Sequence, residues 1–468
     1  MAPDGASKQP DDGTLVTRVM NVIRDRIGTR NLLAGDRLPS IRGFARQMKV
    51  SNSTVVEAYD RLVAEGVIQA RRGSGFYVAP HTAPLSIARI GPKLDRAIDP
   101  FWVSRQSLDA RPDMLKPGCG WLPADWMPET AIRRALRKLS RADDATLVDY
   151  GTPLGLASLR HFLSRRMAGY GIDAHPDHLL LTESGTQAID MLCRFLIAPG
   201  DTVLVDDPCY FNFQALLRAH RANIVGVPFT ENGPDVGAFA RIAVTTKPRL
   251  YITNSGLHNP TGASLSPMVA HQVLNIAEQH DLIIIEDDIF ADFENTPAPR
   301  LVALGGLERV IHIGSFSKTL SASVRCGYIA ASADWIDGLT DLKIATGFSG
   351  PNLSAELIFA VLKDGTYRKY METLRDRLAR TMTITETRLR NLGITPAINP
   401  DAGLFLWCRL PDHMDAATLA RNALSDGVVL APGNVFSISQ TAGNLMRFNV
   451  AQCQDERIFR VIERALEK

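Results

Sequence analysis

The chain has 468 residues, 45% apolar and 22% charged, with a formal net charge of +2. That length exceeds one ordinary core, so two or three domains are expected, and the composition is that of a globular protein rather than a disordered or fibrous one. No apolar run approaches the ~20 residues of a membrane helix, and six scattered cysteines without a CxxC pair argue against a zinc site and for a reducing cytoplasm.

The opening stretch MAPDGASKQPDDGT is polar and acidic, without the apolar centre of a signal peptide, and reads as a frayed tail. Residues 13–80 then hold eleven Lys and Arg against five Asp and Glu. A basic head on a near-neutral body suggests a polyanion as the partner of the head. In LVTRVMNVIRDRI, Val16, Val19, Met20, Ile23 and Ile27 recur at helical spacing. GDRLPS breaks the chain, and Ser40 can cap a second helix over IRGFARQMK. In VSNSTVVEAYDRLVAEG, Ser51 is an N-cap, Val55/Val56, Tyr59 and Leu62/Val63 form the apolar stripe, and Gly66 closes the helix. VIQARRGSGFYVA reads as two short strands around a glycine-rich turn displaying Arg71 and Arg72.

Three helices and a hairpin make a winged helix-turn-helix. Its third helix offers Ser51, Asn52, Ser53 and Thr54 at the N-terminal turn, the end that enters a major groove and favours phosphate. Wing arginines can reach phosphates or the minor groove. GDRLPSIR, VSNSTVVEAYDRLVAEGVI and RRGSGFYV resemble the DNA-binding domain of the GntR family. The resemblance implies DNA contacts from Arg37, Arg42, Ser51, Ser53, Thr54 and the wing at Arg72–Gly73. The alternative for each arginine is a surface ion pair with Asp36, Asp60 or Glu65.

Residues 81–115 carry prolines and no sustained period, and read as an extended linker with one short helix. Such a connector permits the heads to cross over to a partner subunit.

From 116 to 468, short β-branched runs alternate with helical stretches: HLLLTESG, DTVLVDDP, RLYITNSG, LIIIEDD, VIHIGSFS and CGYIAAS. This pattern predicts an α/β domain with a mostly parallel sheet, its ligand beyond the strand ends. No GxGxxG follows a first strand, so a dinucleotide fold is disfavoured. The strand ends carry ESGTQ opening a helix, DDPCYF, HNPTG, EDDIF and SFSK. Pyridoxal 5′-phosphate accounts for all five. Lys318 supplies the amine for a Schiff base, and Asp287 a carboxylate for the pyridine nitrogen. Tyr210 offers a stacking ring and Asn259 a donor to the 3′ oxygen. Gly185, Thr186, Gln187, Ser315, Ser317 and Arg325 form a phosphate cup. Glu286 and Asp288 are expected to cap or solvate the neighbourhood.

YGTPLG, SGTQ, DPCY, NPTG, EDD, SFSKT with the arginine beyond it, and APGNVFS…NLMRFNVA resemble fold-type I aminotransferases over residues 116–468. This implies a smaller α+β C-terminal subdomain, a carboxylate grip by Arg447, and a homodimer in which Tyr150 approaches the neighbouring subunit's phosphate. Such enzymes usually carry a tyrosine two or three residues past the aspartate, where this chain has Ile289 and Phe290. That departure leaves cofactor binding intact and weakens the expectation of turnover. The whole arrangement resembles the MocR subgroup of GntR-family regulators. It implies double-stranded operator DNA as partner and an amino acid or related amine sensed by aldimine exchange at the cofactor. The rival readings are a working aminotransferase and a regulator that senses pyridoxal phosphate itself.

Overall fold

Apolar spacing in the head is realised as three helices and a hairpin in a computed structural model, which describes residues 14–28, 32–33, 35–71, 74–79, 100–108, 111–350 and 352–467. Helices α1 (Leu15–Gly28), α2 (Ile41–Met48) and α3 (Asn52–Ala64) precede strands β1 (Ile68–Arg71) and β2 (Gly75–Val78), which pair antiparallel. Ser40 accepts from the Gly43 N–H and Ser51 from the Thr54 N–H, so both expected caps form. Each cap stabilises its helix by about 1 kcal/mol. Val19, Ile23, Phe44, Val55, Tyr59, Leu62, Ile68 and Val78 close the core of this unit. Val56 and Val63 face outward, so the buried stripe of α3 is the narrower set Val55, Tyr59 and Leu62. Residues 1–86 and 87–468 divide into two compact units.

In the second unit the strands are β3 (Leu179–Thr182), β4 (Thr202–Asp207), β5 (Asn223–Thr230), β6 (Gly233–Pro234), β7 (Leu250–Thr253), β8 (Ile283–Asp287), β9 (Val310–Ser315) and β10 (Gly327–Ala330). They form one sheet in the order β3-β10-β9-β8-β7-β4-β5-β6. Pairs β9·β8, β8·β7, β7·β4 and β4·β5 are parallel, whereas β10 runs antiparallel to both β3 and β9. Only residues 316–326 join β9 to β10, too few for a helical crossover, so the chain turns back. Successive residues face opposite layers: Leu204, Tyr251 and Ile284 pack into one apolar cluster, Val205, Ile252 and Ile285 into the other. Burial on both faces explains why these strands read as continuous apolar runs.

The C-terminal part carries a second, antiparallel sheet of β11 (Thr395–Pro396), β12 (Phe405–Arg409), β13 (Ala431–Pro432) and β14 (Leu445–Asn449), in the order β11-β12-β14-β13. The segment after Met114 is stitched to it, since Gly118 N donates to Val429 O and Asn449 N to Pro117 O. Among the described residues, no helix is long and apolar enough to cross a membrane, and all six cysteines are free and buried.

Candidate functional site

Strands β3, β4, β7, β8 and β9 point the same way, so their C-terminal ends converge at one rim. There lies a cavity of about 460 Å³ whose lining includes Gly185, Thr186, Tyr210, Asn259, Asp287, Ser315, Ser317, Lys318, Arg325 and Arg447. These positions span more than half the chain, and only the sheet brings them together. Lys318 sits in the β9–β10 turn, where the Ser315 hydroxyl donates to Cys326 O (3.1 Å) and meets the Ser317 hydroxyl (2.9 Å). Gly327 closes the same corner: any Cβ there would lie 2.6 Å from the Ser184 carbonyl carbon and 2.8 Å from Gly185 N. Its bare backbone lets the helix starting at Gly185 press against the turn.

Gln187 is the exception within the expected phosphate cup. Its N–H is capped by Ser184 Oγ (3.1 Å), and its side chain accepts from Glu183 N (2.6 Å). It is spent on the helix start and does not line the cavity.

Lys116, Lys318, Arg325 and Arg447 line the space against one carboxylate, Asp287. Burial raises Asp287 to about 6, against hydrogen bonds from Ile289 N and Asn254 that favour its charged form. Burial lowers Lys318 to about 8, with Arg447 and Arg325 adding repulsion. Arg447 is 1% exposed, and burial pulls it down to about 10. Its guanidinium donates to Asn259 Oδ1 (2.6 Å) and Gly118 O (2.7 Å), between the rings of Phe405 (4.4 Å) and Phe436 (4.7 Å). Its Nε is buried without a hydrogen-bond partner among the described residues. A Cβ built on Gly120 would lie 3.8 Å from Arg447 Nη2 and 3.9 Å from Lys318 Nζ, so both cations border one small volume.

Behind Asp287 the expectation that its acidic neighbours cap or solvate divides: Glu286 caps the helix Leu301–Gly305, and Asp288 does neither. Glu286 and Asp288 are buried and solvate nothing. Glu286 accepts from Ser255 and from Leu301 N and Val302 N, while Asp288 and Glu294 clamp the buried Arg300 at 2.9 and 2.7 Å. Phe290 lines the cavity and packs edge-on against Phe405, so no hydroxyl is offered from that position. Tyr150 lies outside this cavity, 82% exposed and stacked on Phe348 at 5.6 Å.

Sequence reasoning missed Lys116, Asn254, and Ser104 and Ser107 of the helix Pro100–Leu108, all lining the cavity. The Asn254 amide donates to Asp287 O at 3.0 Å. Its signal was present, an asparagine directly following β7.

In the head, Ser51, Asn52 and Ser53 are exposed at the start of α3 and Thr54 is half-buried. The Ser51 hydroxyl meets those of Ser53 (2.8 Å) and Thr54 (2.7 Å). Arg71 lies over the Tyr77 ring at 4.5 Å, and Arg37 and Arg42 are exposed. Glu65 pairs with Arg24, and Asp36 accepts from Leu33 N. Among the described residues no ion pair engages Arg37, Arg42 or Arg71. Arg72 and Gly73 lie outside the described residues.

A winged helix-turn-helix in one chain with a fold-type I aminotransferase domain defines a class of transcription regulator. Residues 15–78 match the gntR family of bacterial regulatory proteins, and residues 123–464 match aminotransferase class I and II. The HTH-type transcriptional regulator YdcR of Escherichia coli (strain K12) is 30% identical over 93% of this chain and 94% of its own length. NorG of Staphylococcus aureus (strain USA300), also an HTH-type transcriptional regulator, is 26% identical over 86% of this chain and 92% of its own. Among solved structures, the α-aminoadipate aminotransferase LysN of Thermus thermophilus superposes with a TM-score of 0.71 at 25% identity, over 78% of this chain and 94% of its own. An archaeal alanine:glyoxylate aminotransferase gives 0.71 at 26% identity, over 78% and 93%.

The chain belongs to the aminotransferase class I and II family, in its MocR-type fusion with a GntR DNA-binding domain. Membership implies pyridoxal 5′-phosphate as cofactor. The residues fit that group: Arg325, Ser315 and Ser317 suit a phosphate, the buried Asp287 carboxylate suits a ring nitrogen, and Lys318 would supply the amine.

Proposed function

We propose that this regulator holds pyridoxal phosphate through Lys318 and responds to an amino acid or related amine that competes with Lys318 for the cofactor. The observation that carries the reading is the placement of Arg447 and Lys318 around Gly120. A buried guanidinium with no carboxylate beside it is costly, and an incoming carboxylate relieves that cost. One amino acid spans such a pair, its carboxylate on Arg447 and its amine toward Lys318. When bound, the cofactor supplies an aldehyde carbon that a primary amine attacks.

The chain's own groups then divide the work. Asp287 holds the pyridine nitrogen protonated, Tyr210 covers the ring, and the Asn259 amide donates to the 3′ oxygen. Gly185, Thr186, Ser315, Ser317 and Arg325 bind the phosphate. Exposed Val148, Tyr150, Phe348 and Leu353 support a homodimer in which Tyr150 serves the partner's site. Residues 13–80 form the DNA-binding head, 81–115 the linker and 116–468 the effector domain. Arg37, Arg42, Arg71, Arg72, Gly73 and the Ser51–Thr54 turn face the operator.

The test titrates amino acids into cofactor-loaded full-length protein, following the cofactor band and operator binding together. Both should change at the same concentrations. Sustained amino-group transfer to a 2-oxo acid would favour the enzyme reading, against which Phe290 weighs. Switching of DNA binding by pyridoxal phosphate alone, with amino acids silent, would replace the effector reading by cofactor sensing.

A further inference from the structure

The cavity holds one cation more than the proposed ligands use. Arg325 answers the phosphate, Arg447 the α-carboxylate, and Lys318 reacts as an amine. Lys116 is left over. It is half-buried, it lines the same cavity, and no ion pair engages it among the described residues. Two residues on, the Gly118 carbonyl accepts from Arg447 Nη2 at 2.7 Å. Chain geometry therefore keeps the Lys116 Cα within about 7 Å of the Gly118 Cα.

A second group points to the same missing anion. Ser107 lines the cavity and is 2% exposed, yet among the described residues its Oγ has no hydrogen-bond partner. A serine inside a helix ordinarily bonds the carbonyl four residues back, and this one does not. Such a hydroxyl, facing the cavity, is free to donate to an acceptor on a ligand. Ser104, one turn earlier on the same helix, also reaches the cavity.

We propose that Lys116 and Ser107, with Ser104 beside them, form a second anion subsite, so that the effector is an amino acid with an acidic side chain. The inference rests on the effector reading above and names its ligand class. Lys116 takes the side-chain carboxylate, and Ser107 donates to one of its oxygens. A neutral side chain would leave the lysine unpaired beside two other cations, so the site discriminates by charge as well as size.

The experiment uses full-length protein loaded with pyridoxal phosphate and measures binding of L-aspartate and L-glutamate against L-asparagine and L-glutamine by calorimetry. At least one acid should bind about 10-fold or more tighter than its amide, the worth of a charge-assisted bond. Lys116→Met keeps the apolar stem and should bring acid and amide within about 3-fold, while cofactor loading stays as in wild type. Ser107→Ala should weaken the acid several-fold and the amide little. Equal binding of acids and amides by wild type, or a preference that survives Lys116→Met, overturns the subsite while leaving the effector reading standing. If none of the four binds, the subsite is overturned, and the effector reading is decided by the wider amino-acid titration above.

Discussion

Arg447 Nη1 donates to Asn259 Oδ1 at 2.6 Å across 188 positions of sequence. The bond ties the middle of β14 to the loop after β7. It also orients the amide: with the oxygen engaged, Nδ2 is the group left to donate. Asn259→Ala should therefore act on both ends of the cavity, loosening the cofactor and weakening an amino-acid effector about 10-fold. Arg447→Ala should weaken the effector about 10²-fold and retain the cofactor. Titrations that follow the cofactor band separate the two variants.

Lys318 should attach the cofactor in a pH-dependent way. Burial first, then the neighbouring guanidiniums, favour the neutral amine and bring its pKa to about 8. The reactive free amine thus predominates above pH 8 and falls about tenfold per unit well below it. Rates of attachment to apo protein, measured by borohydride trapping between pH 6 and 9.5, should rise and level off near that value. Lys318→Ala should trap none.

Asp287 and Asp288 should respond oppositely. The folded-state pKa of Asp287, raised by burial to about 6, lies above the ordinary 3.8. Its penalty is absent below pH 3.8 and complete above pH 6, where two units correspond to about 3 kcal/mol. Apo Asp287→Asn should be more stable than apo wild type at pH 8, and should lose cofactor on dialysis. Asp288→Asn removes one partner of a buried arginine, a change that costs about 3 kcal/mol, and should lower the melting temperature with cofactor retention little altered. Thermal melts of apo and loaded protein distinguish the pair.

Arg42→Ala should lower operator affinity about 10-fold and reduce the salt slope by about one, without changing the cofactor band. Fluorescence anisotropy on operator DNA over a salt series measures both. An unchanged slope would place Arg42 away from the phosphates.

Local chemistry was legible from the residues alone. Ser40 and Ser51 cap helices because a hydroxyl before an apolar period satisfies nearby N–H groups. Strands β3, β4 and β7–β10 announced themselves as apolar runs, and the polar motifs just past them lie at the rim of the cavity. β5 escaped notice because Gly226 and Pro228 interrupt it and much of it is only half-buried.

Long-range closure is what the tertiary structure alone decided. Nothing local says that β10 inserts between β9 and the distant β3. Nor does it say that Gln187 is used up in its own helix start, or that Asp288, Glu294 and Arg300 share one buried network. The linker helix places Ser104 and Ser107 at the cavity of the second unit, although their own segment has no period that names a face. Residue type and spacing set which groups are available. Which of them meet, and which stay unpaired, depends on burial and distance, and those arise only when separate segments pack.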